Sequence, residues 1–497
     1  MLRTRRAPYL AGLVSALAIW WVWGAFSPRP LVQDEISYVL QSRIFATGHW
    51  TVPSPPLHGF FQQPHVLTFP AVASKFFPGH ALLLTLGALI GWPPLVPLLL
   101  TGITGALLFA LVRRVTSEWV ALFTWLVWIG DPINLRFRPG YYSEVTSETM
   151  WLLAWWALLE WRTSRRRGWL LALAAAVAWG AITRPLTMVA FAVPIAVVVI
   201  GDTIRNHSWR DLAYALALGV VILGIVPLWS ARTTGDWRLS PQTFYSRNYL
   251  PYDKPGFGLD STPPLRPLAR PNYYVYAGFR GGHVEHTPAN LPRIAFERLS
   301  AIAHAEWSGP RLVLVPFVLV GVASMSAEVV FALVCALALF AGYLSYGHWA
   351  LWTLYYFETM PVLALLAGLG VWRVSTRLRH RASTLAAVVL ALLAAFELQT
   401  WRRVHVADAS FDRAFYQKLA NLPARAAVVF VHYDDRLPAH ADLVANSPHL
   451  AQDSIWVVND LGTRDSALMR FARPRVPIAF YEFGGRMKVD SALLAPR

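Results

Sequence analysis

The sequence predicts an α-helical polytopic membrane protein that ends in a small α/β domain. Only 14% of its 497 residues are charged and 56% are hydrophobic, whereas soluble domains carry roughly 25% charged residues. The mean hydropathy is +0.41. Apolar runs long enough to span a membrane recur as far as Trp401, and shorter β-branched runs follow it. These observations together predict the fold class.

Eleven apolar runs are candidate membrane-spanning helices, because a span needs about 20 mostly apolar residues. The runs are 8–26, 93–112, 117–131, 147–161, 168–183, 186–201, 210–230, 311–324, 327–346, 354–372 and 382–400. No small-x-small cleavage motif follows the first run, so we interpret it as an uncleaved span. The apolar run 79–91 is short, and we expect it to lie at the interface without crossing.

Arginines predict the orientation of these spans. If 79–91 does not cross, all the arginine clusters at span ends fall on one side of the membrane: 3–6, 113–114, 162–167, 205–210 and 373–381. The positive-inside rule makes that side cytoplasmic. We therefore expect a cytoplasmic N-terminus and extracytoplasmic segments at 27–92, 132–146, 232–310 and 402–497. This pattern explains the net charge of +16 better than nucleic-acid binding does.

The C-terminal region differs in pattern from the rest, and we predict domains 1–401 and 402–497. The runs "AAVVFVHY", "SIWVVND" and "VPIAFYEFG" are typical of strands, and "DSALMRFA" between the last two has helical spacing. The region contains no G-x-G-x-x-G and no P-loop, so no nucleotide site is predicted. The only cysteine is Cys335, which excludes an intrachain disulfide.

Two adjacent carboxylates, Asp34 and Glu35, begin a helical pattern at 33–48 in which Asp34 shares a face with Tyr38. One interpretation is that both acids merely start the helix, since carboxylates favour helix N-termini. The other interpretation is catalytic. Adjacent helical residues point about 100° apart, so one carboxylate could face a reacting hydroxyl while the other contacts a metal or an arginine.

The sequence resembles the GT-C superfamily of polytopic glycosyltransferases in three features. These are the acid pair, the stretch "SKFFPGHALLLTLGALIG" and a following span that ends in Arg113–Arg114. Bacterial protein O-mannosyltransferases and the lipid A aminoarabinose transferase, of the family 39 type, are the most similar members. The resemblance implies transfer of a sugar from a polyprenyl-phosphate-linked donor to a lipid, glycan or protein acceptor. The reaction would take place on the outer face of a bacterial inner membrane.

The resemblance also implies site residues. Asp34 is the candidate base, with Glu35 beside it, and Glu144 or Glu148 is the second acidic site; Glu148 could instead cap a span. The candidate donor-phosphate ligands are Lys75, Arg136, Arg138 and Arg184, and the candidate acceptor or head-group contacts are Tyr38, His80 and Glu358. For Lys75, snorkelling to the interface is the alternative. A divalent metal on Asp34 and Glu35 is possible, and no other cofactor is expected.

Two other function classes are a transporter or flippase of lipid-linked sugars and a non-catalytic envelope-assembly protein. A transporter typically places polar groups at the mid-membrane within repeated halves. This chain has no internal repeat, and its polar candidates cluster in the outer segments. The segment 232–310, rich in Pro, Tyr, Arg and Gly, fits either an acceptor-facing lid or an irregular interfacial loop.

Overall fold

The computed structural model describes residues 4–378, 381–422, 424, 426–434 and 443–493, so Arg3 and Arg379 of the arginine clusters lie outside it. The described chain is mostly helical. Its α-helices are α1 (Ala7–Trp23), α2 (Gln33–Ala46), α3 (Pro78–Leu89), α4 (Leu95–Val115), α5 (Glu118–Ile129), α6 (Pro132–Phe137), α7 (Ser143–Ser164), α8 (Arg167–Ala181), α9 (Pro185–Asn206), α10 (Trp209–Leu223), α11 (Ile225–Thr234), α12 (Pro241–Tyr249), α13 (Arg270–Val284), α14 (Leu291–Trp307), α15 (Val315–Val322), α16 (Ala327–Tyr343), α17 (Met360–Ser375), α18 (Ala382–Ala420) and α19 (Asp465–Phe471).

Each predicted span coincides with a helix or with a helical pair. Among the described residues, the helices long and apolar enough to cross a membrane are Leu95–Val115, Pro185–Asn206, Trp209–Thr234, Thr353–Ser375 and Ala382–Ala420. The pair Pro288–Trp307 and Gly309–Val322 passes the same test together but bends by 102°. Shorter apolar helices include α1, α3, α5, α8 and α16. The number of helices that cross the membrane therefore stays a prediction.

Small residues allow α1 to pack closely against α4. A Cβ atom on Gly12 would lie 2.5 Å from the carbonyl oxygen of Gly102, and one on Gly105 would lie 2.4 Å from Ser15 Oγ. Close backbone approach through small residues is typical of helix pairs in membranes. The tight pair places the C-terminal end of α1 beside the segment that leads into α2.

The first predicted outer segment contains the expected helix, α2, and a small sheet that the sequence did not predict. Its antiparallel strands are β1 (Val52–Pro53), β2 (Val66–Leu67) and β3 (Ala71–Ser74), in the order β1-β3-β2. Strands of two to four residues are too short to show an alternating pattern. The sheet returns the chain from α2 towards Lys75 and α3.

The segment 232–310 is largely helical, so the irregular-loop interpretation is wrong. It contains all of α12, α13 and α14. Proline occupies one of the first two positions of each of these helices, at Pro241, Pro271 and Pro292. Proline is favoured there because the first turn needs no N–H donor from that residue. The prolines that suggested irregular backbone therefore begin helices.

The C-terminal region forms the predicted strands and helix. The strands β4 (Ala427–His432), β5 (Ile455–Asn459), β6 (Val476–Tyr481) and β7 (Arg486–Val489) pair in the order β5-β4-β6-β7. β4 is parallel to β5 and β6, and β7 is antiparallel to β6. The 39-residue helix α18 continues beyond its apolar half and packs Phe415 and Leu419 against one face of this sheet.

Candidate active site

A cavity of about 1450 Å³ is lined from all four segments that the sequence places outside the membrane. The cavity is also lined by residues at the predicted outer ends of several spans, such as Trp23, Leu186 and Tyr343. The predicted site residues in its lining are Asp34, Glu35, Tyr38, Lys75, Arg136, Glu144 and Arg184. Residues that are far apart in the sequence thus line the same cavity.

Asp34 faces this cavity from the first turn of α2. Its Oδ1 lies 3.1 Å from His65 Nε2, and 30% of its side chain is exposed although the residue lies deep in the protein. Burial raises the pKa of Asp34 to about 7, against the lowering effect of Lys75. A carboxyl group with a pKa near neutrality can gain and lose a proton at working pH, as a general base must.

Glu35 has a different environment. Its Oε2 accepts hydrogen bonds from the backbone N–H groups of Leu31 (2.9 Å) and Val32 (3.1 Å), and its Oε1 accepts one from Tyr141 N–H (2.8 Å). Burial raises the pKa of Glu35 to about 7 even though these donors favour the ionised form. Glu35 therefore matches the helix-start interpretation, because it ties the start of α2 to the segment before α7.

Lys75 forms a buried ion pair with a residue of the segment 232–310. Its Nζ lies 2.9 Å from Asp253 Oδ2, and its side chain is only 5% exposed. Burial alone would raise the pKa of Asp253, but the Lys75 charge and a hydrogen bond from the Tyr346 hydroxyl outweigh it and lower that pKa. The pair fixes a positive charge in the wall of the cavity, so Lys75 does not snorkel into solvent.

Arg184, Glu144 and Glu358 form one buried cluster. The guanidinium of Arg184 donates a hydrogen bond to Glu144, and its Nε lies 3.4 Å from Glu358 Oε1. Its Nη2 donates to the Tyr343 hydroxyl at 2.9 Å. Glu358 is fully buried behind the cavity wall and accepts a hydrogen bond from Ser147. A predicted phosphate ligand and two predicted acidic residues thus pair with one another inside the protein.

Besides Glu358, three predicted site residues are buried away from the cavity lining. Arg138 and Glu148 form an ion pair in which both side chains are fully buried. The ring nitrogens of His80 contact Thr146 Oγ1 at 2.8 Å and the Tyr141 carbonyl at 2.9 Å. Phosphate or head-group contact needs access to the cavity, so this placement favours packing roles for all three.

Tyr38 and Arg136 keep their access to the cavity, and two arginines that sequence reasoning missed, Arg29 and Arg247, also line it. The Tyr38 hydroxyl donates to Ser143 Oγ at 2.9 Å. Arg136 and Arg247 line the cavity, and neither forms an ion pair with a residue that the structure describes. Arg247 lies in α12, within the Tyr- and Arg-rich stretch "YSRNYLPY". These two arginines can bind an anionic group without first breaking an internal ion pair.

Comparisons with known proteins identify the fold. Residues 78–230 match the family described as dolichyl-phosphate-mannose-protein mannosyltransferase. The structure of ArnT from Cupriavidus metallidurans bound to undecaprenyl phosphate is similar, with a TM-score of 0.59 and 16% identity over 96% of this chain and 94% of that chain. The apo structure of the same protein gives a TM-score of 0.54 and 16% identity over 95% and 92% of the two chains. This chain therefore has an ArnT-like fold. No curated protein sequence matches it.

This ArnT-like fold agrees with the resemblance carried by the first loop and the following helices. The protein is a membrane protein whose described chain is mostly helical, with several apolar helices and an ArnT-like arrangement. The likeness to ArnT extends over nearly the whole chain, whereas the sequence motifs covered mainly residues 30–200.

A divalent metal does not fit the acid pair. Both oxygens of Glu35 accept backbone N–H bonds, and Asp34 directs one oxygen to His65. Among the residues that the structure describes, no group of three or more His, Cys, Asp or Glu side chains is arranged to hold a metal ion.

Proposed function

We propose that this protein is a GT-C glycosyltransferase that moves a sugar from a polyprenyl-phosphate-linked donor to an acceptor on the extracytoplasmic face of a bacterial inner membrane. One observation carries the proposal: the four predicted outer segments converge on a single cavity of about 1450 Å³. This cavity combines a carboxyl group with a pKa near neutrality and two arginines, Arg136 and Arg247, that form no ion pair with a described residue. The undecaprenyl phosphate bound to ArnT supports a polyprenyl phosphate carrier.

In this proposal, Asp34 is the general base. Its carboxylate takes the proton from an acceptor hydroxyl as that oxygen attacks the anomeric carbon of the donor sugar. The bond between this carbon and the phosphate oxygen breaks, and polyprenyl phosphate leaves with the electron pair. His65, at 3.1 Å from Asp34, holds the carboxylate in orientation.

The leaving phosphate gains negative charge during this step, and charged donors already in place stabilise it. Arg136 and Arg247 are the proposed direct ligands, because their guanidinium groups are not committed to carboxylates of described residues. Lys75 and Arg184 are paired with Asp253 and Glu144, so they are not proposed as direct ligands of the phosphate.

The proposed orientation places the N-terminus in the cytoplasm, residues 402–497 outside as a separate domain, and eleven helices across the membrane. It can be tested by fusing a topology reporter after residue 90 and another after residue 115. We expect the first reporter outside and the second inside, because α4 crosses between them and ends in Arg113 and Arg114. An outside location for the second would contradict the orientation.

The transfer rate should fall in acid because protonated Asp34 cannot act as a base. The pKa of Asp34 is raised to about 7, so we expect kcat to be highest above it and to fall about tenfold per pH unit well below it. Initial rates measured with saturating donor from pH 5 to pH 9 check this. The acidic limb should be absent from the residual activity of Asp34→Asn; a limb that persists would contradict its assignment to Asp34.

Removing one proposed phosphate ligand should weaken donor binding. Arg136→Gln is expected to raise the donor KM about tenfold, since a hydrogen bond to a charged group contributes about 1.5–3 kcal/mol. Arg247→Gln should act in the same direction. The matched control is Arg238→Gln, because Arg238 is exposed and packs over Trp237 away from the cavity. A donor KM equal in the Arg136 and Arg238 variants would contradict the assignment.

The proposed function is tested by giving the purified protein a panel of polyprenyl-phosphate sugars together with membrane extract. Mass spectrometry should detect free polyprenyl phosphate and a glycosylated acceptor in equal amounts. Donor that crosses a vesicle membrane without being consumed would favour a flippase. If no donor in the panel is consumed or moved, the glycosyltransferase proposal fails.

A further inference from the structure

The loop 58–65, which belongs to the first outer segment, packs against the C-terminal sheet. The side chains of Phe60 and Phe61 are buried against one face of this sheet. The Phe60 ring centroid lies 6.5 Å from that of Phe430, and the Phe61 centroid lies 5.8 Å from that of Trp456. The loop and the sheet therefore share one apolar core.

Asn459, the last residue of β5, fixes the backbone of this loop. Its side chain is almost fully buried, and its Nδ2 donates to the carbonyl oxygens of Phe60 (3.1 Å) and Gln62 (2.8 Å). A primary amide suits this contact because one nitrogen supplies two N–H donors. A single side chain of the sheet thus holds two carbonyl groups of the loop.

The same loop leads directly to His65. The N–H group of His65 donates to the Tyr245 hydroxyl at 2.9 Å, and Gln62 Oε1 accepts from Ala269 N–H at 2.8 Å. The φ angle of His65 is +63°, a left-handed conformation that is uncommon outside glycine and depends on surrounding contacts to persist. From this position, His65 Nε2 reaches Asp34.

We propose that Asn459 is a positioning residue through which the C-terminal sheet holds His65 against Asp34. The proposal rests on the proposed function, in which Asp34 is the base. Asn459 does not line the cavity, so it acts only through the loop. A small displacement of His65 and Asp34 should lower the rate strongly, because catalysis depends on the exact placement of groups around the reacting centre. The proposed phosphate ligands Arg136 and Arg247 lie on other elements, so donor binding should not change. Loss of Asn459 should therefore lower kcat and leave the donor KM unchanged.

The test uses Asn459→Asp in the full-length protein, which keeps the shape of the side chain and removes both donors. We expect kcat to fall about tenfold. The matched control is Asn446→Asp. Asn446 Nδ2 donates to the Val457 carbonyl at 2.8 Å, within the C-terminal region and away from the loop. His65→Gln completes a double-mutant cycle, in which Asn459→Asp should cause no further loss once His65 has been replaced.

Hydrogen exchange provides a readout that does not depend on activity. Backbone amides of residues 60–65 should exchange faster in Asn459→Asp than in wild type, and Asn446→Asp should leave them unchanged. Equal exchange in the wild type and Asn459→Asp would overturn the positioning role whether or not any donor is consumed. Losses in kcat that multiply in the double variant would also overturn it. A wild-type protein that consumes no donor would overturn the proposed function instead.

Discussion

Asp34→Asn should lower the rate of sugar transfer by about 10³-fold, within the range that general-base catalysis contributes. The amide keeps the shape of the side chain and its place in the first turn of α2 but cannot accept the acceptor's proton. The proposed phosphate ligands lie on other elements, so the donor KM should change less than threefold. Steady-state transfer assays with the purified variant measure both quantities.

Asp236→Asn is the matched control for this substitution. Asp236 is exposed and outside the cavity lining, and its carboxylate accepts only a local hydrogen bond from Arg238 N–H among the described residues. We expect its kcat and KM to equal those of the wild type. If Asp34→Asn behaved like Asp236→Asn, Asp34 would be a helix-starting residue and not the base.

Arg184→Met should strongly destabilise the folded protein. It leaves Glu144 and Glu358 buried without a cation, and removing one partner of a buried ion pair costs about 3–5 kcal/mol. The two carboxylate side chains are only 3% and 0% exposed, so water cannot replace the guanidinium without rearrangement. Thermal unfolding in detergent, followed by tryptophan fluorescence, should show a large decrease in the transition temperature.

Two further variants show whether this loss comes from unpaired charge. Replacing Glu144 and Glu358 by Gln in the Arg184→Met background should restore most of the stability, since the cluster is then neutral. Arg293→Met is the control, because Arg293 also pairs with two glutamates, Glu285 and Glu297, but at the surface. We expect no measurable change there. A similar loss in the Arg184 and Arg293 variants would contradict a special role for the buried cluster.

The helices were predictable because their signals are local. Each apolar run of span length became helical, and the helical spacing at 33–48 gave α2. The C-terminal strands followed from β-branched runs bounded by polar residues. The helices of 232–310 were missed because a proline can break a helix or begin one, and only its position relative to the first turn decides which.

The partners of the site residues could not be predicted, because they come from distant parts of the chain. Lys75 and Asp253 are separated by 178 positions, and Tyr141 donates to Glu35 across 106 positions. His65 carried no signal at all, since it is a single histidine in a loop. The sequence predicted which residues are candidates for catalysis or phosphate binding. Their burial and pairing in the fold decide which of them remain accessible to the cavity.

The central claim is that Asp34 accepts a proton during sugar transfer in the shared cavity. A single-turnover experiment tests it most directly, with enzyme in excess over a polyprenyl-phosphate sugar that the wild type consumes. At equal donor occupancy, we predict that the wild type and Asp236→Asn release polyprenyl phosphate rapidly, and that Asp34→Asn releases it about 10³-fold more slowly. Release at the same rate by Asp34→Asn and wild type would contradict the role of Asp34 as the base.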